Sequence, residues 1–454
     1  MAHGGHYTTP RTGRGHPPIR GKILRLMRPY FRVTVGVAAL ALAASASAQL
    51  GDSSFEQLDH PAIDYINRAP RDPIAALIRR IQSGSVKLTF EAGNGYLPSL
   101  LKALDIPIES QVAVFSKTST QMNLIHPRNP RMIYFNDLVS VAWVRGTFVV
   151  EIAAQDPEQG TIFYELDQQA ADKPALTRTR ACLRCHHSFY TNGIPGRLMR
   201  STLTAADGTT LGWTRNASDH ATPFDQRWAG WYVTGKLSGL PHLGNTFATG
   251  AEMTSPGHSA DLNTLVDRFD TTGYLTPYSD VVALLVLEHQ SGLTNLLTRL
   301  DWEMRAAAWE IRSSVKKPGT IVERPHYSVE AAINEIADYL LFVNEAPLPG
   351  PVQGTSGFAE RFAKEGPFDS RGRSLRQLDL ERRLLRYPCS YLIYAPMFDD
   401  LPAPAREAIY KRMWEILSGR DKSEKYARLS DADRAAVVEI LRDTKKGLPV
   451  YFRR

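Results

Sequence analysis

At 454 residues, with 43% hydrophobic and 22% charged side chains, the chain has the make-up of an ordinary folded protein, which excludes a globally disordered one. Its formal charge of +7 would suggest an anionic partner, yet residues 1 to 48 hold seven Lys and Arg and no acid. The remaining 406 residues are therefore neutral, and nucleic-acid binding is not expected.

The chain opens on a basic prelude that runs into twelve apolar residues, Val33 to Ala44, followed by Ala46-Ser47-Ala48 ahead of Gln49. This pattern predicts a secretory signal peptide over 1–48, with Met27 as an alternative start, and hence a periplasmic or otherwise exported protein. The apolar run is too short for a lasting anchor, so no membrane span is expected after cleavage. Export usually goes with paired cysteines, but only Cys182, Cys185 and Cys389 occur, too few to staple a fold. Cys389, in Tyr387-Pro-Cys-Ser-Tyr-Leu-Ile-Tyr394, reads as a buried packing residue.

Residues 49–110 form an N-terminal helical segment in this reading, with apolar clusters at Ala75–Ile81 and Leu97–Leu104 set between Pro73, Gly84 and Pro107. A strand-rich region, 111–260, follows. Val112–Phe115, Met132–Phe135, Val139–Val144, Phe148–Ile152 and Thr161–Leu166 are short β-branched or aromatic runs separated by turns, which predicts an antiparallel meander. Arg197–Leu203 and Thr209–Trp213 flank Asp207-Gly208 as a hairpin, and Arg227–Gly235 supplies an aromatic strand. The last region, 261–454, reads as helical: Asp280–Ile311 capped by Ser279, Val329–Glu345 capped by Ser328, then Leu375–Arg386, Pro404–Ser418 and Asp431–Lys446. Gly- and Pro-rich Pro347–Ser374 reads as a loop. The fold class expected is α+β, with strands around residues 177–195 and a mostly helical C-terminal half.

Between the meander and the hairpin stands Thr177-Arg-Thr-Arg-Ala-Cys182-Leu-Arg-Cys185-His186-His-Ser-Phe-Tyr-Thr-Asn-Gly-Ile-Pro195. At this cysteine content, composition predicts about 5 × 10⁻⁴ chance occurrences of Cys-x-x-Cys-His, so the spacing is informative. Two thiols three positions apart can form thioethers to one haem while the adjacent histidine meets its iron. A structural zinc site would need further ligands, and Cys389 has no cysteine or histidine nearby. A thioredoxin-like dithiol is expected to open a helix after a strand, whereas a polar, threonine-rich stretch precedes this pair. A local disulfide is the remaining alternative.

Cys182, Cys185 and His186 resemble the signature of c-type cytochromes. That resemblance implies one covalent haem c, with Cys182 and Cys185 as its attachment points and His186 as the proximal axial iron ligand. Pro195 resembles the proline whose carbonyl accepts the proximal histidine's Nδ1 proton in that family, a bond that would fix the ring. Val112–Ser119, Arg227–Gly235 and Arg386–Tyr394 are similar to stretches of a group of larger exported bacterial monohaem proteins, a likeness that spans most of the mature chain and carries no established activity.

Small cytochromes c are mostly helical and take a methionine as second axial ligand, whereas strands are expected here. Met253 has a suitable separation, and His220, His242 and His289 compete with it for the sixth position. Met199 reads as a strand core residue, and His187 cannot reach across the ring from its neighbour. Trp228, Trp231 and Tyr232 read as core aromatics able to pack a macrocycle. The function expected is electron transfer with a redox partner protein. An alternative is a peroxidase- or oxygenase-like haem oxidoreductase with an open iron position, since about 300 residues lie beyond a minimal haem domain. A third is a haem sensor or docking scaffold. No catalytic residue can be assigned from the sequence.

Overall fold

The computed structural model describes residues 58–248, 261–315 and 328–453, which fall within one unit running from Ser54 to Arg454. The expected signal peptide and Met253 lie outside the described residues. Helix α1 (Pro73–Gln82) begins where Asp72 Oδ1 accepts the Ile74 and Ala75 N–H groups at 2.7 and 3.0 Å, with proline at the first helical position. Its Ile74, Leu77 and Ile81 recur at helical spacing and are buried, as are Leu97, Leu100 and Leu101 of α2 (Leu97–Ala103).

Strands β1 (Val112–Val114), β2 (Arg131–Phe135), β3 (Val139–Trp143), β4 (Val149–Asp156) and β5 (Gly160–Asp167) form the expected antiparallel meander, and β6 (Leu176–Arg178), in the stretch read as polar, extends it. The single turn α3 (Leu183–His186) then leads to the hairpin of β7 (Ser201–Thr204) and β8 (Thr210–Arg215), whose reversal uses Gly208 at φ 89°. Strand β9 (Trp231–Tyr232) returns to pair with β1 and completes a sheet of order β6-β5-β4-β3-β2-β1-β9.

Alternation divides the sheet into two faces. Met132, Tyr134, Val141, Val150 and Tyr164 pack with the apolar stripes of α1 and α2. Ile133 is registered against Ala142, and Ala153 against Phe163, so these four share the opposite face. Beside that face runs the long helix α4 (Val281–Val315). Val112, Val114 and Phe135 join its Val282, Val286 and Leu293 in one hydrophobic core with the C-terminal helices α5 (Val329–Leu340), α8 (Ala403–Leu417) and α9 (Asp431–Thr444). Two short helices, α6 (Phe358–Lys364) and α7 (Pro396–Asp399), fill the gaps, the first inside the stretch expected as a loop. The chain is thus α+β. Among the described residues no helix is long and apolar enough to cross a membrane.

Two expectations need correction. The cap of α4 is Asp280, whose Oδ1 accepts Val282 and Ala283 N–H at 2.8 and 3.2 Å. Ser279 instead ties strands together, accepting Ala113 N–H at 2.8 Å and donating to the Tyr232 carbonyl at 2.6 Å. Residues 375–386 are not helical: Asp379 Oδ1 takes the Glu381 and Arg382 N–H groups, Leu380 sits at φ 58°, and Leu378 bridges to Leu385. An aspartate that captures the next backbone donors offers the chain a turn in place of a helix.

Candidate cofactor site

Cys182 precedes α3, and its carbonyl accepts the Cys185 and His186 N–H groups at 3.1 and 2.9 Å. One helical turn therefore places positions 182, 185 and 186 on one side. The chain then reverses through Asn192 at φ 59° and Gly193 at φ 71°, and returns along its own path, with His187 bridging to Pro195. Gly196 clasps His186 at both ends: its N–H donates to the His186 carbonyl and its carbonyl accepts the ring Nδ1–H, each at 2.9 Å. The expected acceptor was Pro195, but its carbonyl is taken by Thr161 N–H at 3.0 Å.

A carbonyl can only accept, so Nδ1 carries the ring proton and Nε2 keeps its lone pair. Burial, partly offset by the Gly196 bond, holds the imidazole down to about 4, so the ring is neutral at any physiological pH. A neutral imidazole with a free Nε2 and an anchored Nδ1 is the form that binds a metal.

Cys182, Cys185 and His186 all line a cavity of about 630 Å³, within the range of small-molecule and cofactor sites. Its floor is the α4-facing side of the sheet, including Ile133, Ala142, Ala153 and Phe163. Trp213 of β8, Trp231 of β9, and Leu287 and Ser291 of α4 form further walls. Phe163 lies 5.0 Å from the His186 ring, and Trp231 is held by its Nε1–H donating to the Arg200 carbonyl at 2.7 Å. The lining is otherwise cationic: Lys117, Arg131, Arg184, Arg197 and Arg200 against one carboxylate, Glu151. Glu151 accepts from Ser119 and Thr120 and pairs with Arg131 at 2.6 Å. Burial alone would raise its pKa, but the Arg131 charge and these hydroxyl bonds hold it below the usual carboxylate value.

The pair does open a helix after a strand, since β6 ends at Arg178 and α3 starts at Leu183, but the Cys182 thiol is not set up for exchange, while Cys185 is exposed. Burial pushes Cys182 up to about 12, the opposite of the lowered pKa that a reactive dithiol requires, and burial also raises Cys389 inside the core. Among the described residues no group of three or more His, Cys, Asp and Glu could hold a metal ion.

The histidines considered for the sixth position are elsewhere. Leu287 and Ser291 of α4 line the cavity, and His289, two residues from each, faces the other way. There its Nδ1 lies 2.8 Å from His220 Nδ1 and its Nε2 lies 2.7 Å from Ser390 Oγ, with Tyr339 and Phe342 stacked on the pair. His242 packs on Trp228 at 5.5 Å and accepts Gly244 N–H at 3.1 Å, also outside the cavity wall. Trp228 and Tyr232 are core residues, the latter donating to the Pro127 carbonyl. Met199 is buried in the core as expected, though it precedes β7 and is not in a strand, and it also lines the cavity, where Met122 of the β1–β2 connection joins it. Neither methionine, nor Arg197, carries a local sequence signal, because each reaches the cavity through long-range folding. No family model, curated protein or solved structure matches the chain.

Proposed function

We propose that the protein is an exported monohaem c-type cytochrome that transfers electrons to or from a partner protein. The observation that carries this reading is the placing of both thiols and the anchored, neutral His186 on one wall of a cofactor-sized cavity. Cys182 and Cys185 would hold the haem covalently and His186 would ligate its iron; when bound, haem supplies a one-electron couple. The chain's own contribution is positional and electrostatic. Gly196 fixes the ring plane of His186, Phe163 and Trp231 exclude water, and the arginines supply positive charge that raises the affinity for an added electron. Met199 and Met122 are the described side chains on the cavity wall able to offer a second, thioether ligand.

A second reading, a haem oxidoreductase with an open iron position, is favoured by the exclusion of His220, His242 and His289 from the cavity wall. Both readings are tested on protein matured in a host competent for cytochrome assembly. One haem added in mass to the wild type, and none to the C182A/C185A variant, is expected; no Soret band in the wild type overturns the proposal. A low-spin spectrum that ignores cyanide and carbon monoxide selects electron transfer, and a spectrum that both ligands change selects the oxidoreductase.

A further inference from the structure

Among the described residues, the residue after Gly196, Arg197, is the only arginine whose three guanidinium nitrogens are all buried without a hydrogen-bond partner. Asn295 of α4 grips the Arg197 backbone at both ends, its Oδ1 accepting the N–H at 3.1 Å and its Nδ2 donating to the carbonyl at 2.8 Å. The side chain is only 5% exposed and lines the cavity, yet Nε, Nη1 and Nη2 all lack a hydrogen-bond partner. Burial pulls the guanidinium down to about 10, which still leaves it charged at neutral pH. A buried charge without a partner is costly, so this arrangement implies a counter-ion.

The groups that face Arg197 do not provide one. Asp137 attracts it from a distance but is committed to Arg376, Tyr391 is held protonated by burial, and Asp219 and Glu335, which line a smaller cavity that Arg197 also borders, make no hydrogen bond to its guanidinium. Of the other cavity cations, Arg131 is paired with Glu151 at 2.6 Å and Lys117 with Asp207 at 3.5 Å, Arg184 is exposed to solvent, and Arg200 lies over the Trp213 ring at 4.6 Å with only its Nε buried and unpartnered. Five donors in a planar fork match a carboxylate in two parallel bonds. Arg197 is also one residue from the clasp on His186, so whatever it binds lies beside a group attached there.

We propose that Arg197 is a buried anion site that takes a carboxylate of the tetrapyrrole itself, an assignment that rests on the haem reading. Paired in this way, the carboxylate stays ionised and its charge is masked from the iron. The test compares wild type, R197Q and R197K, matured in the same host. Covalent haem per chain is measured first by mass, then the midpoint potential is followed by optical redox titration from pH 5 to 9. All three proteins are expected to carry one haem. R197Q is expected to have a lower potential than the wild type, because an unmasked negative charge favours the ferric state. Its potential should also fall as pH rises between 5 and 8, as the released carboxylate titrates, while the wild type stays flat and R197K falls between them. Haem-loaded R197Q with the wild-type potential and pH profile overturns the assignment but leaves the haem reading standing. So does a saturable shift of the wild-type potential by added formate that R197Q lacks, since Arg197 would then be open to free anions. Absence of haem from the wild type overturns both. Should R197Q fail to accumulate, R197K carries the same comparison.

Discussion

Gly196 joins the cavity to α4, and replacing it with alanine tests how. Its backbone is outside the left-handed region, so alanine can adopt the conformation and the obstacle is contact alone. An added Cβ would lie 2.4 Å from Asn295 Oδ1 and 2.9 Å from its Cγ, so the amide must move. That amide cannot move freely, because it makes both hydrogen bonds to the Arg197 backbone. Losing two buried bonds and stranding their partners costs about 2–4 kcal/mol. The stiffer unfolded chain of the alanine variant offsets roughly 0.5 kcal/mol of this. We therefore expect G196A to lower the unfolding free energy by about 1.5–3.5 kcal/mol in urea, followed by circular dichroism. N295A loses the same bonds without the clash, so G196A/N295A should match N295A within about 0.5 kcal/mol. Additive losses in the double variant, or a G196A cost near zero, refute the idea that Asn295 transmits the strain.

Acid should destabilise the protein through its buried imidazoles. Burial holds His289 at about 3 against 6.5 unfolded, and lowers His220 with help from His289 and Arg227. A depressed folded pKa means that the His289 contribution is fully present above pH 6.5 and is lost as pH falls towards 3. At pH 5 the loss is about 2 kcal/mol from His289 alone, and H289Q should show a correspondingly flatter fall in stability between pH 7.5 and 5; parallel slopes would exclude His289 as the cause. Arg227 donates to Glu288 at 3.1 Å and to the Thr222 and His220 carbonyls, all buried. R227M should therefore cost about 3–5 kcal/mol in urea unfolding, while R227M/E288M recovers much of it; no recovery would show that the carbonyl contacts dominate. If Met199 ligates the iron, M199A should convert a low-spin spectrum to a ligand-accessible one while covalent haem is retained, and an unchanged spectrum would point to Met122 or another ligand.

How much of this was legible in the sequence depends on the range over which each feature is decided. The first five meander strands, α1 and α2, and the caps of α5 and α9 follow from alternation, helical spacing and residues such as Ser328, Ser430 and Asp433, whereas β6 lies in a polar stretch that gave no strand signal. Each is settled within a few residues of chain, where backbone preference and one face of burial suffice. The same is true of the cysteine motif, because positions 182, 185 and 186 share one side of any helical turn. The segment 375–386 misled because its apolar spacing suited a helix while Asp379 offered its neighbours a turn.

The composition of the site belongs to the other category. The Nδ1 acceptor moved from Pro195 to Gly196 because Thr161, on β5, takes the Pro195 carbonyl. His289 turned from the cavity to His220 and Ser390, 69 and 101 residues away in the chain, and Met199 and Arg197 turned towards it. Spacing along the chain determined which atoms can act together on one turn; only the packing of α4 against the sheet decided which side chains share one cavity, since burial is a property of contacts that the chain makes with itself at a distance.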